Sequence, residues 1–382
     1  MAESRLTGSP PADRRPAGRW WTGRCVLVTG YSGFVGAWLT TTLLELGATV
    51  VGFALDDEHT RQRVAGLVER GATPVTGDIR RLADVRGAMA TRPIDVVFHL
   101  AAQPLVGVGL ADPHGTFTTN VQGTVNLLEA VREHQPGVLV NVTSDKCYRN
   151  QGWPWPYREV DQLGGGCPYS VSKAAAELVF EAYAELGRNC GHPTTMASVR
   201  FGNVIGGGDR AARRLVPDVV AALMTGTPLR LRRADAVRPW QHVLDVVQGL
   251  LLTAEALAEH TVDTGEVFNF APPDDGASVR RLVAALTAAW VATGGTGVPV
   301  LDSQDVQLTE AEVLRLDGRK AASALGWRHR FDLDSASAEI IDWHRAVAAG
   351  VSPSAATAHQ VRQYFAGVCR PLADQETGEA LR

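Results

Sequence analysis

Residues 30–36 set three glycines at GxxGxxG spacing, Gly30, Gly33 and Gly36, between a β-branched run (RCVLVT, 24–29) and an amphipathic stretch from Phe34 to Leu46. After Gly47 comes a second β-branched run, ATVVGFALD. Strand, glycine turn, helix and strand within about thirty residues is the layout of a βαβ unit. A helical crossover of this kind makes the two strands parallel. The alternation continues, predicting strands at 73–76, 95–100, 138–143, 195–200 and 267–270, and helices at 81–90, 115–134, 168–187 and 211–225. Strands that alternate with helices imply an α/β chain with a doubly wound parallel sheet. From Phe201 the texture changes to Gly206–Gly208, an arginine-rich 210–214 and LRLRRADAVRPW at 229–240, which predicts a smaller C-terminal α/β subdomain.

The glycine positions carry a ligand expectation. The first glycine permits the tight turn, the second lets backbone N–H groups approach a pyrophosphate at the helix N-terminus, and the third allows close helix–strand packing. The fold expected is therefore Rossmann-type. Asp56 closes the second strand about twenty residues after the last glycine, where a carboxylate accepts hydrogen bonds from an adenosine ribose. Asp57 is its rival. An acid there disfavours a 2′-phosphate, so NAD is expected rather than NADP. The cofactor set is read as Gly30, Ser32, Gly33, Phe34, Val35, Gly36, Asp56, Asp78, Ile79, Leu100, Ala101, Ala102 and Asn120, together with Tyr169 and Lys173. The organisation follows: a tail at 1–18, an NAD-binding domain at 19–200, a mainly substrate-binding part at 201–366 with some segments returning to the core, and a tail at 367–382.

Two further segments carry chemistry. VTSDKCY (142–148) ends a predicted strand, at the edge where open α/β sheets build their sites. PYSVSK places Tyr169 and Lys173 at i and i+4, on one face of a helix. An ammonium near a tyrosine hydroxyl favours the phenolate, which then serves as a base. Of 37 basic residues only Lys146, Lys173 and Lys320 are lysines. Where arginine serves as the general surface charge, a lysine marks a position that needs a compact donor or a proton that can leave.

Together with RFGNVIGGGD (200–209) and RPWQHVLD (238–245), these segments resemble the extended short-chain dehydrogenase/reductases, from about Trp20 to Phe365. Within them the chain is most similar to the nucleotide-sugar 4,6-dehydratases of the CDP-glucose group, whose Asp-Lys pair matches Asp145-Lys146. The resemblance implies a hydro-lyase that oxidises C4 of a nucleotide-linked hexose, expels water across C5 and C6 and returns hydride to C6. Ser144 and Tyr169 would act at the C4 hydroxyl, with Lys173 as the tyrosine's partner. Asp145 would be the acid at C6 oxygen, and Lys146 the base or its partner. Substrate contacts are expected from Gln103, Asn203, Arg214, Arg232 and Arg238, arginine suiting a diphosphate by its planar fork. The chain departs from the group's pattern at Tyr31, Val35, the GVGL segment 107–110, Cys167 and Arg210.

Composition narrows the remaining classes. A formal charge of −4 argues against a general nucleic-acid or anionic-membrane binder. No apolar run approaches the roughly 18 residues of a membrane span. The five cysteines are scattered without a CxxC pair, so free thiols in a cytoplasmic protein are expected, and no metal. A homodimer or higher homo-oligomer is expected by analogy, through the helices at 115–134 and 168–187. The competing readings are a nucleotide-sugar 4-epimerase or oxidoreductase and a non-catalytic dinucleotide sensor.

Overall fold

The computed structural model describes residues 16, 18–211, 214–231, 233–272, 276–302 and 312–366. The first described element is a short helix, α1 (Gly18–Trp21), followed in alternation by β1 (Cys25–Thr29), α2 (Phe34–Glu45), β2 (Thr49–Ala54), α3 (Glu58–Glu69), β3 (Thr73–Thr76), α4 (Leu82–Met89) and β4 (Val96–His99). Two short helices, α5 (Val106–Ala111) and α6 (Pro113–Phe117), lead through a π-helical turn into α7 (Gly123–His134), β5 (Val138–Val142), α8 (Pro168–Cys190) and β6 (Thr195–Phe201). Next come β7 (Asn203–Ile205), α9 (Leu215–Thr225), β8 (Leu229–Leu231), β9 (Val237–Arg238), β10 (Trp240–His242), α10 (Val243–Ala258) and β11 (Glu266–Phe270). The last elements are β12 (Ala277–Ser278), α11 (Val279–Ala292), β13 (Val300–Asp302), α12 (Arg319–Leu325), α13 (Leu333–Ala348) and α14 (Pro353–Tyr364).

Seven strands form one parallel sheet in the order β11-β6-β5-β4-β1-β2-β3. The chain runs outward from β1 to β3 and then returns to β4 on the other side of β1. The crossovers on the two sides therefore diverge between β1 and β4, opening a crevice at the strands' C-terminal ends.

Successive residues of each strand feed opposite cores, as the pleat requires. Val26 and Val28 of β1 join one cluster with Val96, Phe98, Val138 and Val140, beneath α2, α10 and α14. Leu27 joins the other with Val51, Val97 and Leu139, beneath α4, α7 and α8. Burial on both faces explains why β1 reads CVLVT, apolar throughout rather than alternating. A third cluster, separate from these, packs Val216, Val219, Leu231, Leu282, Leu286 and Ile340 between α9, β8, α11 and α13. It is the core of the smaller C-terminal part.

All seven main strands fall where the sequence predicts them, but the C-terminal half holds more helix than expected. In α10, fifteen residues from Val243 to Leu257 are buried. A helix covered on every side has no polar face, so it lacks the periodicity that betrays an amphipathic helix. Both α10 and β11, which follow residue 201, belong to the main sheet layers.

Candidate active site

The glycine turn is built by close backbone contact. Gly30 has φ 72° and sits so near β4 that a Cβ would lie 2.8 Å from the Ala101 nitrogen. A Cβ on Gly36 would come 2.2 Å from the Gly30 carbonyl oxygen, and one on Gly33 would lie 3.1 Å from the same atom. Gly33 stands at the N-cap of α2 with no side chain capping it. The first N–H groups of α2, from Phe34, Val35 and Gly36, thus have no side-chain acceptor and form an anion seat. Leu100 and Ala101 line the opposite lip, their N–H groups directed at Thr29 Oγ1, both at 3.2 Å. This cradle fits the pyrophosphate of a dinucleotide.

The other expected cofactor residues are held by different partners. Ser32 is buried, and its carbonyl accepts from the Arg63 guanidinium, which also reaches Gly208 O at 2.8 Å. Arg63 carries no motif, yet it ties the glycine turn to the loop after β7. Asp56 is exposed and pairs with Arg61 at 3.2 Å. Asp78, after β3, is chelated by Arg80, which holds its carboxyl below the usual range. Ile79 is buried, its carbonyl accepting from Asn126. Asn120 accepts from the Gln103 N–H at 2.8 Å and donates to Ser172 Oγ at 2.8 Å, so it clasps the loop after β4 to α8. Ala102 lies in that loop, half-buried. Tyr31, one of the departures, lies over β2, its ring 2.3 Å from where a Cβ on Gly52 would stand.

The catalytic candidates converge where β5 ends. Ser144 is the N-cap of a 3-10 turn, Asp145–Cys147, and accepts from the Lys146 N–H at 3.2 Å. Tyr169, in the first turn of α8, donates to Ser144 Oγ at 3.5 Å. Lys173, one turn on, donates to the Val142 carbonyl at 3.4 Å. Asp145 is 1% exposed; one carboxylate oxygen accepts from Lys146 Nζ at 3.2 Å and the other has no partner among the described residues. Lys146 Nζ also reaches Asn203 Oδ1 at 3.4 Å, across from β7. Burial pushes Tyr169 up to about 12, Asp145 adding to the rise while the Ser144 hydrogen bond and Arg214 pull it down. Burial draws Lys173 down to about 8, opposed by Glu177.

The expected substrate residues divide. Asn203 and Arg214 stand at the cluster, Arg214 held by Asp209 at 3.0 Å. Gln103 is engaged by Thr116 and the Leu105 N–H. Arg238 is buried in β9, donating to the Val237 and Glu312 carbonyls. Arg232 lies outside the described residues, as do most of the residues read as the two tails. Trp240 and His242 are both buried, and Cys147 packs under the site. Cys167 Sγ lies 3.2 Å from Ser170 Oγ. A cavity of about 250 Å³ behind the glycine turn, bordered by Phe34, Arg63 and Trp343, contains none of the catalytic candidates.

Residues 26–271 match the model of the NAD dependent epimerase/dehydratase family, well over half of the chain. The chain belongs to that family. Among its relatives, CDP-glucose 4,6-dehydratase of Salmonella typhimurium is 38% identical over 361 residues, 92% of this chain and 98% of that one. A dTDP-glucose 4,6-dehydratase structure from Streptomyces venezuelae, with NAD bound, superposes with a TM-score of 0.69 at 25% identity, over 86% of this chain and 99% of that one. UDP-glucose 4-epimerase of Thermotoga maritima gives a TM-score of 0.75 at 22% identity, over 85% and 99%, and shares the fold. No helix among the described residues is long and apolar enough to cross a membrane, and none of these residues form a cluster of three or more metal-ligating side chains.

Proposed function

We propose that this chain is an NAD-dependent CDP-glucose 4,6-dehydratase, a cytoplasmic hydro-lyase that makes the 4-keto-6-deoxy sugar. The observation that carries the reading is the buried Asp145, bonded to Lys146 on one oxygen and unpartnered on the other, beside Ser144 and Tyr169. Oxidation at C4 alone requires only the serine, tyrosine and lysine. A carboxyl–ammonium pair one residue away is what removal of water adds. The similarity to the Salmonella enzyme supports the choice of nucleotide and sugar.

NAD bound at the glycine turn supplies the hydride acceptor for C4 and the hydride donor for C6. Tyr169 takes the proton of the C4 hydroxyl, oriented by Ser144, and Lys173 stabilises the phenolate. The new ketone at C4 acidifies C5–H. Lys146, in its neutral form, takes that proton, while Asp145, in its acid form, protonates the C6 hydroxyl so that it leaves as water. Lys146 returns its proton to C5 when C6 is reduced, and the proton left on Tyr169 restores Asp145 by exchange through solvent. Arg214 and Asn203 are the substrate contacts best placed for the diphosphate and the sugar. Arg238 reaches the phosphates only by leaving its carbonyls.

The active species is read as a homodimer or higher homo-oligomer through α7 and α8, because α8 exposes Val171, Leu178 and Leu186. Incubation with CDP-glucose and NAD, followed by the alkaline absorbance of the 4-keto product, tests the function. Product forms if the reading holds; no turnover with any nucleotide-linked glucose refutes it.

A further inference from the structure

Below the catalytic cluster lies a buried polar network that the reaction as described does not use. Glu177 follows Tyr169 and Lys173 at the same four-residue interval, so the three share one face of α8. It is 2% exposed. One of its oxygens accepts from Thr143 and from Ser198 at 2.8 Å, and the other pairs with Arg200 at 2.7 Å. Arg200 is fixed in turn by the Tyr148 hydroxyl at 2.7 Å, itself bonded to Asn269. Thr143 directly precedes Ser144, and Lys173 reaches the carbonyl of Val142, just before it. Glu177 therefore grips the end of β5 from below while Lys173 touches it from the side.

We propose that Glu177 is a positioning residue for the tyrosine–lysine pair: its fixed, buried carboxylate keeps Lys173 charged and holds Thr143 and Ser144 in register with Tyr169. The inference rests on the reading of Tyr169 and Lys173 as the C4 machinery. Charge requires it as well as geometry. A lysine taken out of water tends to lose its proton, and a nearby anion counters this. The groups around Lys173 are few. Cys147 is a buried thiol whose ionisation is pushed far up, so it is neutral. His99, from β4, is drawn to about 3 by burial and by Lys173 itself, so it too is neutral. Without bound cofactor Tyr169 is held neutral by burial, and Asp145 is bonded to Lys146. Arg200 carries positive charge on the far side of Glu177 and is compensated by it. Glu177 is the one anion left to serve Lys173 among these.

The lysine scarcity makes a direct test possible. With Lys146, Lys173 and Lys320 the only lysines in the sequence, ε-¹³C-lysine labelling gives three side-chain signals, and Lys173→Arg assigns the one that matters. Burial draws Lys173 down to about 8, so in the wild type that signal is expected to change there. In Glu177→Gln, which keeps shape but loses charge, the midpoint should fall by about one pH unit or more, and Glu177→Asp should restore it in part. If Glu177→Gln fails to fold because Arg200 is left uncompensated, Glu177→Gln with Arg200→Met removes both charges and must still show the lowered midpoint. The alkaline limb of kcat/KM should move down with it. A Lys173 signal that titrates at the wild-type pH in either variant overturns the proposal, leaving a structural role only. Because the titration needs no turnover, it stands apart from the assignment of substrate.

Discussion

Asp145 and Lys146 differ in what the fold demands of them. Lys146 has a 25% exposed side chain and two oxygen partners, whereas Asp145 is enclosed with one oxygen unpartnered. A buried acceptor without a partner costs about 1–3 kcal/mol, a penalty that a substrate hydroxyl would relieve. Replacing Asp145 by asparagine should therefore lower turnover by about 10²–10⁴-fold, the usual worth of a general acid. NAD affinity, measured by titration of the free protein, should not change. Unchanged turnover would refute its role as the acid at C6. The residues proposed to do chemistry were legible in sequence because chemistry restricts their type and spacing: Tyr169 and Lys173, Asp145 and Lys146. Arg63, Arg200 and the inward-facing Arg238 were not, because what they touch lies far along the chain or depends on how a flexible side chain turns. Glu177 could have been found, since it repeats the spacing of Tyr169 and Lys173 once more.

At the scale of the element, the glycine turn and α2 act as one part. Gly36→Ala would place a methyl 2.2 Å from the Gly30 carbonyl, a backbone atom that can yield only by moving the turn. Overpacking of this kind costs about 1–3 kcal/mol, and if the strain falls on the anion seat, NAD binding should weaken about tenfold or more. Isothermal titration of the variant with NAD checks this; wild-type affinity would show that the turn does not form the seat. The same scale explains what remained hidden in the sequence. Strands β1 to β6 and helices α2, α7 and α8 declare themselves through periodicity and glycine punctuation. Helix α10 does not, since Leu250, Leu251, Leu252 and even Glu255 are all inside, the last accepting from Trp21 at 2.7 Å. Its partners come from both ends of the chain, which no local window contains.

For the whole molecule, two buried histidines contribute to the response to acid. His99 lies between Thr29 and Thr124, and His242 caps α10 and packs against Phe331. Burial draws each to about 3, against about 6.5 in an unfolded chain. Both folded values are lowered, so below about pH 6.5 the unfolded chain takes up protons that the native state refuses. Their contribution is present above that pH and is lost as the pH falls, each by about 1.4 kcal/mol per pH unit. The melting temperature should fall steeply between pH 7 and 5. His242→Asn keeps an N-cap acceptor for α10 and should flatten that slope, even if it lowers stability at pH 7; an unaltered slope would contradict the argument.

In the proposed reaction the oxidation at C4 is transient and serves to expel water. The most direct test is to supply CDP-glucose carrying deuterium at C4 and to locate the label in the product by NMR. Deuterium moved to C6 of a 4-keto-6-deoxy sugar is the predicted result. Deuterium returned to C4 of an intact hexose would contradict the claim and make this chain an epimerase.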